Sequence, residues 1–176
     1  MTHFLYSASV PVFLRYLERL AALVDTAEAH AQAQGMAAAQ MLQARLAPDM
    51  HPFASQVEIA ANFTLRACYP LAGRDVPPYG APSTSINALR ARIAHAAALL
   101  RDLQPAHFEN SAARQLHSAA GNAVVSLPAT EFLFQYALPN FFFHVTAAYA
   151  ILRSTGVAVG KEDFDGFHSY PPENSN

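Results

Sequence analysis

The sequence predicts an all-α four-helix bundle, with one short extra helix and a small β-hairpin before the last helix. Three observations carry this. Four stretches of about 16 to 25 residues repeat apolar side chains at helical spacing. The connections between them are rich in proline and glycine, the residues that interrupt helices. The last stretch, Phe132 to Leu152, runs for 21 residues without a formal charge.

In the first helix, Ser9 stands where a hydroxyl caps exposed N–H groups. Pro11 follows in the first turn, where its missing N–H does no harm. Val12, Phe13, Tyr16, Leu17, Leu20, Leu23 and Val24 then recur on one face, and Gly35 is a natural stop. A short helix is predicted from Met36 to Leu46, ahead of Pro48. The segment Pro48 to Pro52 is a stiff connector, because a residue before proline is pushed out of helical angles. His51 is therefore an end residue, with Pro52 at the first helical position. The second long helix carries Phe53, Val57, Ala60, Ala61, Thr64, Ala67 and Cys68, and Pro70 and Gly73 end it.

Residues 73–82 form a loop of prolines and glycines, after which Ser83, Thr84 or Ser85 caps a third helix. Its apolar face is Ile86, Leu89, Ile93, Ala96, Ala97, Leu100 and Leu103; Arg90, Arg92, Arg101 and Asp102 are predicted mostly on the other face. Between Arg114 and Leu127 the helical period is lost. RQLHS and AVVSL read as two strands about a turn at Gly121. One domain is expected over 1–166, with a disordered tail at 167–176.

The last helix holds Phe132, Phe134, Phe141, Phe142 and Phe143 among other large apolar residues. It is predicted to be buried on nearly all sides, at the heart of the bundle. Pro139 is expected to kink it and to free the carbonyl of Gln135. Tyr136, Asn140 and His144 recur at i, i+4, i+8, so they share one face. Three hydrogen-bonding side chains in a phenylalanine-rich helix make the best candidate ligand site. Gln56 and Asp49, near the start of the second helix, complete the candidate set. The expected ligand is small and apolar or amphipathic. The competing reading is that these groups satisfy one another and only fix packing.

The composition excludes several classes. Net charge is −2 and no basic run occurs, which argues against nucleic-acid binding. The central stretch is long enough for a membrane span, but Gln135, Asn140 and His144 are costly in hydrocarbon, so no membrane partner is expected. Apolar residues make up 52% and charged ones 14%, an imbalance that predicts a homodimer. The single cysteine, Cys68, allows no intramolecular disulfide. No basic region precedes an apolar run at the N-terminus, so a cytoplasmic location is expected.

Motifs for acyl transfer, zinc proteolysis or dinucleotide binding do not occur. No glutamate stands three residues before a histidine, so the di-iron pattern of bundles is missing as well. A mononuclear metal, zinc or nickel, could draw on His51 and His144. Helical spacing from His144 meets Asn140 and Ala148 rather than a third imidazole.

The segments ASVPVFLRYLERL, ARLAPDMHPFASQVEIA, YALPNFFFHVTAAYAILR and VGKEDFDG resemble an uncharacterised bacterial family of domains of unknown function. That family is grouped with the DinB/YfiT-like four-helix bundles. The resemblance implies the bundle fold, often dimeric, and covers the chain to about Gly166. The wider superfamily carries a metal on three histidines, one from the second helix and two at i, i+4 on the last. His144 takes the position of one of that pair, Asn140 stands at the other, and His51 lies near the second-helix ligand. The resemblance implies, as an alternative to ligand binding, a metal-dependent, thiol-using transferase or hydrolase.

Overall fold

The computed structural model describes residues 3–168. Among them the helices are α1 (Phe4–Ser7), α2 (Val10–Ala33), α3 (Ala38–Gln43), α4 (Phe53–Leu71) and α5 (Ile86–Arg101). A hairpin follows, β1 (Gln115–Ala120) and β2 (Ala123–Pro128). Then come α6 (Ala129–Glu131), a π-helical turn (Phe132–Ala137), α7 (Leu138–Ser154) and α8 (Lys161–Asp165). The bundle consists of α2, α4, α5 and α7. Helix α4 packs along both α5 and α7, and α2 packs along α5. No helix among the described residues is long and apolar enough to cross a membrane.

The long helices stop as their sequences suggest. Gly35 and Gly73 take left-handed backbone angles, with φ of 61° and 70°. That geometry lets the next N–H reach back: Met36 donates to the Ala31 carbonyl and Arg74 to that of Tyr69. Ser85 caps α5, its hydroxyl accepting from the Ala88 N–H at 3.1 Å. Ser9 behaves differently. Its hydroxyl does not cap α2 but donates to the Leu5 carbonyl at 2.5 Å, because the unpredicted α1 precedes it and supplies that acceptor. The short α3 is also briefer than expected, spanning Ala38–Gln43.

The hairpin pairs Leu116 with Leu127 and Ser118 with Val125. Leu116 and Ser118 point inward, and the hairpin packs on α4 and on the π turn. Of the expected tail, Phe167 and His168 are held by the Asp165 carboxylate through their backbone N–H groups. Residues 169–176 lie outside the described residues.

Two expectations change. Arg92 is not on the outer face of α5 but 9% exposed. It donates to the Ala81 carbonyl and meets Glu58 Oε1 at 3.4 Å, so a charged partner and a loop carbonyl make its burial possible. The last helix, too, is not apolar-buried all round. Phe132, Leu133, Phe141, Val145, Ile151 and Leu152 are inside, while Phe134 is 41% and Phe143 57% exposed. A helix in a four-helix bundle has neighbours on one side only, so its apolar surplus faces outward. The disturbance expected from Pro139 takes the form of the π turn. This places Pro139 in the first turn of α7, where a missing N–H is tolerated.

Candidate functional site

Polar residues of α4, the π turn and α7 meet in two clusters, each in contact with the Phe63 ring. Gln56, near the N-terminus of α4, is 1% exposed. An uncharged amide can be buried there because both its ends are bonded. Its Nε2 donates to the His51 carbonyl at 3.2 Å, and its Oε1 lies 2.7 Å from Nδ1 of His144. With the amide nitrogen spent on a carbonyl, the oxygen faces the imidazole. Nδ1 of His144 therefore carries the proton and Nε2 presents a lone pair.

The imidazole is half-buried. It stacks on Phe63 at 5.9 Å and meets the edge of Phe143 at 5.2 Å. Burial, and secondarily the neighbouring His51, lower its pKa from 6.5 to about 4. It is neutral near pH 7.

A stability consequence follows from linkage. Unfolded, His144 takes up a proton near pH 6.5; folded, only near pH 4. Between those values the unfolded chain binds more protons, so acid favours unfolding. The stability associated with neutral His144 is complete above about pH 6.5 and declines as pH falls toward 4. Allowing for the ring's partial exposure, wild type should lose about 1–2 kcal/mol more than His144→Gln between pH 7 and pH 4.5. Urea unfolding at the two pH values checks this; equal losses would show that the imidazole titrates as if exposed.

The second cluster centres on Arg66. Its Nε donates to Ser118 Oγ at 2.7 Å and its Nη2 to the Tyr136 hydroxyl at 3.0 Å. Tyr136 in turn donates to the Ala119 carbonyl at 3.2 Å. The guanidinium lies 4.8 Å from the centre of the Phe63 ring, and Tyr136 packs against the same ring at 5.9 Å. Asn140 sits between the clusters. Its Nδ2 donates to the Tyr136 carbonyl at 2.7 Å, steadying the backbone where the π turn meets α7.

The structure thus brings together Gln56, His144 and the His51 backbone, and separately Tyr136 with Asn140. The His51 side chain and Asp49 are exposed, and no described contact joins Asp49 to either cluster. Sequence reasoning missed Phe63, Arg66 and Ser118. Phe63 and Arg66 lie seven and ten residues beyond Gln56, about two and three helical turns, so its face of α4 carried that signal. Ser118 had none, because the hairpin reaches Arg66 only through tertiary packing.

The donor set does not fit a catalytic zinc or nickel, which takes three protein ligands and an open position. Among the described residues no group of three or more His, Cys, Asp or Glu is placed to hold an ion. Asn140 stands at the third position, where an amide offers only a neutral oxygen, a weak ligand for zinc or nickel.

Residues 5–165 match the family described as Domain of unknown function (DUF1993). The chain is also similar to the crystal structure of a DinB family member protein from Shewanella denitrificans. The TM-score is 0.86 and the identity 34%, over 95% of this chain and 94% of that one. No curated protein matches the sequence. Sequence match and superposition cover the same bundle, hairpin included: the chain belongs to the DUF1993 family, with the four-helix fold of DinB-like proteins.

Proposed function

We propose that this protein binds a small amphipathic molecule beside His144, where α7 packs on α4. A hydrogen-bond donor of the ligand would meet Nε2 of His144. The observation that carries this reading is the imidazole itself. It is oriented by a buried glutamine, kept uncharged, and left with an unused acceptor nitrogen. Thermal-shift screening of amphipathic fragments tests it: hits should stabilise wild type and be lost in His144→Ala and Asn140→Ala. No hits, or hits indifferent to both substitutions, would sink the reading.

A metal-dependent transferase or hydrolase is the second reading, favoured by the closeness of His51 to His144. Two imidazoles and an amide are a weak donor set for zinc or nickel. Protein purified without a nickel column should therefore carry well under one ion per chain. A stoichiometric ion lost in His144→Ala would reverse the ranking of the two readings.

We infer also that the protein forms a homodimer through the outer face of α7. Leu46, Met50, Phe142, Phe143, Thr146, Ala147 and Ala150 line a shallow, almost wholly apolar cleft. Exposed apolar patches of this kind favour self-association. Light scattering should give a dimer for wild type and a monomer for Phe143→Glu; a monomeric wild type would refute it.

A further inference from the structure

Ser111 stands apart from the other buried polar side chains. Among the described residues, Ser9, Gln56, Thr64, Arg92 and Ser118 each make a side-chain hydrogen bond, and the Asp165 carboxylate accepts two N–H groups. Ser111 is 4% exposed, yet its hydroxyl has no described partner. A buried hydroxyl without a partner is costly, and such an exception calls for a cause. Nor is this hydroxyl sealed in. Among the described residues, the fully enclosed side-chain atoms that lack partners are His3 Nδ1 and Arg15 Nε. The Ser111 hydroxyl therefore reaches open space, and the space that Ser111 lines is a cavity of about 250 Å³.

The cavity lies where α1 packs on a 3-10 turn (Pro105–Phe108) and α6 packs on the next one (Ser111–Ala113). Leu5 and Phe108 give it an apolar side. Phe4 is 55% exposed, so its ring is open to a ligand. Asn110 and Thr130 add an amide and a second hydroxyl, and neither side chain makes a described hydrogen bond. No residue lining the cavity carries a charge. Phosphates, carboxylates and amines would lose water there without gaining a counter-charge. Serine and threonine hydroxyls turn to donate or to accept, and an amide does both. Ring hydroxyls of a ligand have the same versatility. A pyranose also has an apolar C–H face, which suits an exposed aromatic ring. The volume falls below that of sites for drug-sized molecules, which fits a single ring.

We propose that this cavity binds the ring of an uncharged sugar. Ser111, Asn110 and Thr130 meet its hydroxyls, and Phe4 covers its C–H face. The site shares no residue with the cluster at His144 and does not rest on it.

The probes are the methyl glycosides of β-glucose, β-galactose and α-mannose, titrated into the isotope-labelled full chain by NMR. At least one should give saturable shifts at the amides of Phe108 to Ala112 and Thr130. Ser111→Ala should weaken that binding about five- to tenfold, and Phe4→Ala should weaken it as well. Ser111→Ala should leave Tm unchanged, because the hydroxyl bonds nothing within the protein, whereas Ser9→Ala should lower it. Methyl β-glucuronide, the glucose ring with a carboxylate, should bind no more tightly than the glucoside. No saturable shift with any of the three glycosides overturns the proposal and leaves the cavity to water. Binding that is unchanged in Ser111→Ala overturns it too, as does binding lost in His144→Ala but kept in Ser111→Ala. A lowered Tm for Ser111→Ala would show that the hydroxyl has a partner within the fold and remove the premise. Tighter binding of the glucuronide overturns the uncharged class.

Discussion

Phe141→Ala is expected to cost about 3–5 kcal/mol, the largest loss from any single truncation in α7. The Phe141 side chain is fully buried. It meets Phe13 of α2 edge-on at 4.9 Å, and Tyr16 and Phe142 at 6.4 Å and 5.3 Å. Those rings join α2 to α7, which have few other contacts. Truncation removes the transfer energy and leaves a hole that large, stiff neighbours refill poorly. In a chain of this size each kcal/mol lowers Tm by about 2–4 °C. Phe143→Ala, two residues on, should cost under about 1 kcal/mol in dilute solution, because its ring is more than half exposed. Urea unfolding of the two variants provides the comparison. A loss below about 1 kcal/mol for Phe141→Ala would show that α2 and α7 are not joined through these rings.

Arg92→Met should cost about 2–4 kcal/mol. The substitution keeps an apolar stem of similar length, so the loss reports the guanidinium. Arg92 donates to the Ala81 carbonyl and approaches Glu58 and Asn62. Glu58 also accepts the Ser83 N–H at 2.5 Å, so the pair clamps both sides of the loop before α5. Removing the cation leaves a largely buried carboxylate with that one N–H. Glu58→Gln with Arg92→Met should then cost less than the two losses added together, by about 1 kcal/mol or more. Additive losses would mean that the two side chains do not share an interaction.

Much of this architecture was legible before any coordinates. Apolar periodicity located the four long helices, and Gly35 and Gly73 located two of their ends, because a left-handed residue leaves few alternatives. The hairpin was visible as the place where the helical period disappears around Gly121. The site was legible in part. Gln56, Tyr136, Asn140 and His144 could be chosen because uncharged polar groups on otherwise apolar faces need partners. Arg66 was passed over because a charged residue on an amphipathic helix reads as a solvated one. Arg92 was placed outside for the same reason, and its burial depends on a loop carbonyl that no spacing rule anticipates.

The sequence by itself determined the fold class, the order of the four long helices and the hairpin, and the pairing of a polar stripe with a phenylalanine-rich helix, since period and punctuation are local properties. Tertiary structure alone decided which side of α7 is wet, which nitrogen of His144 is free, and that Arg66 meets Ser118 across a distant hairpin. Each of these depends on what lies opposite a side chain, and that is settled only when the helices pack.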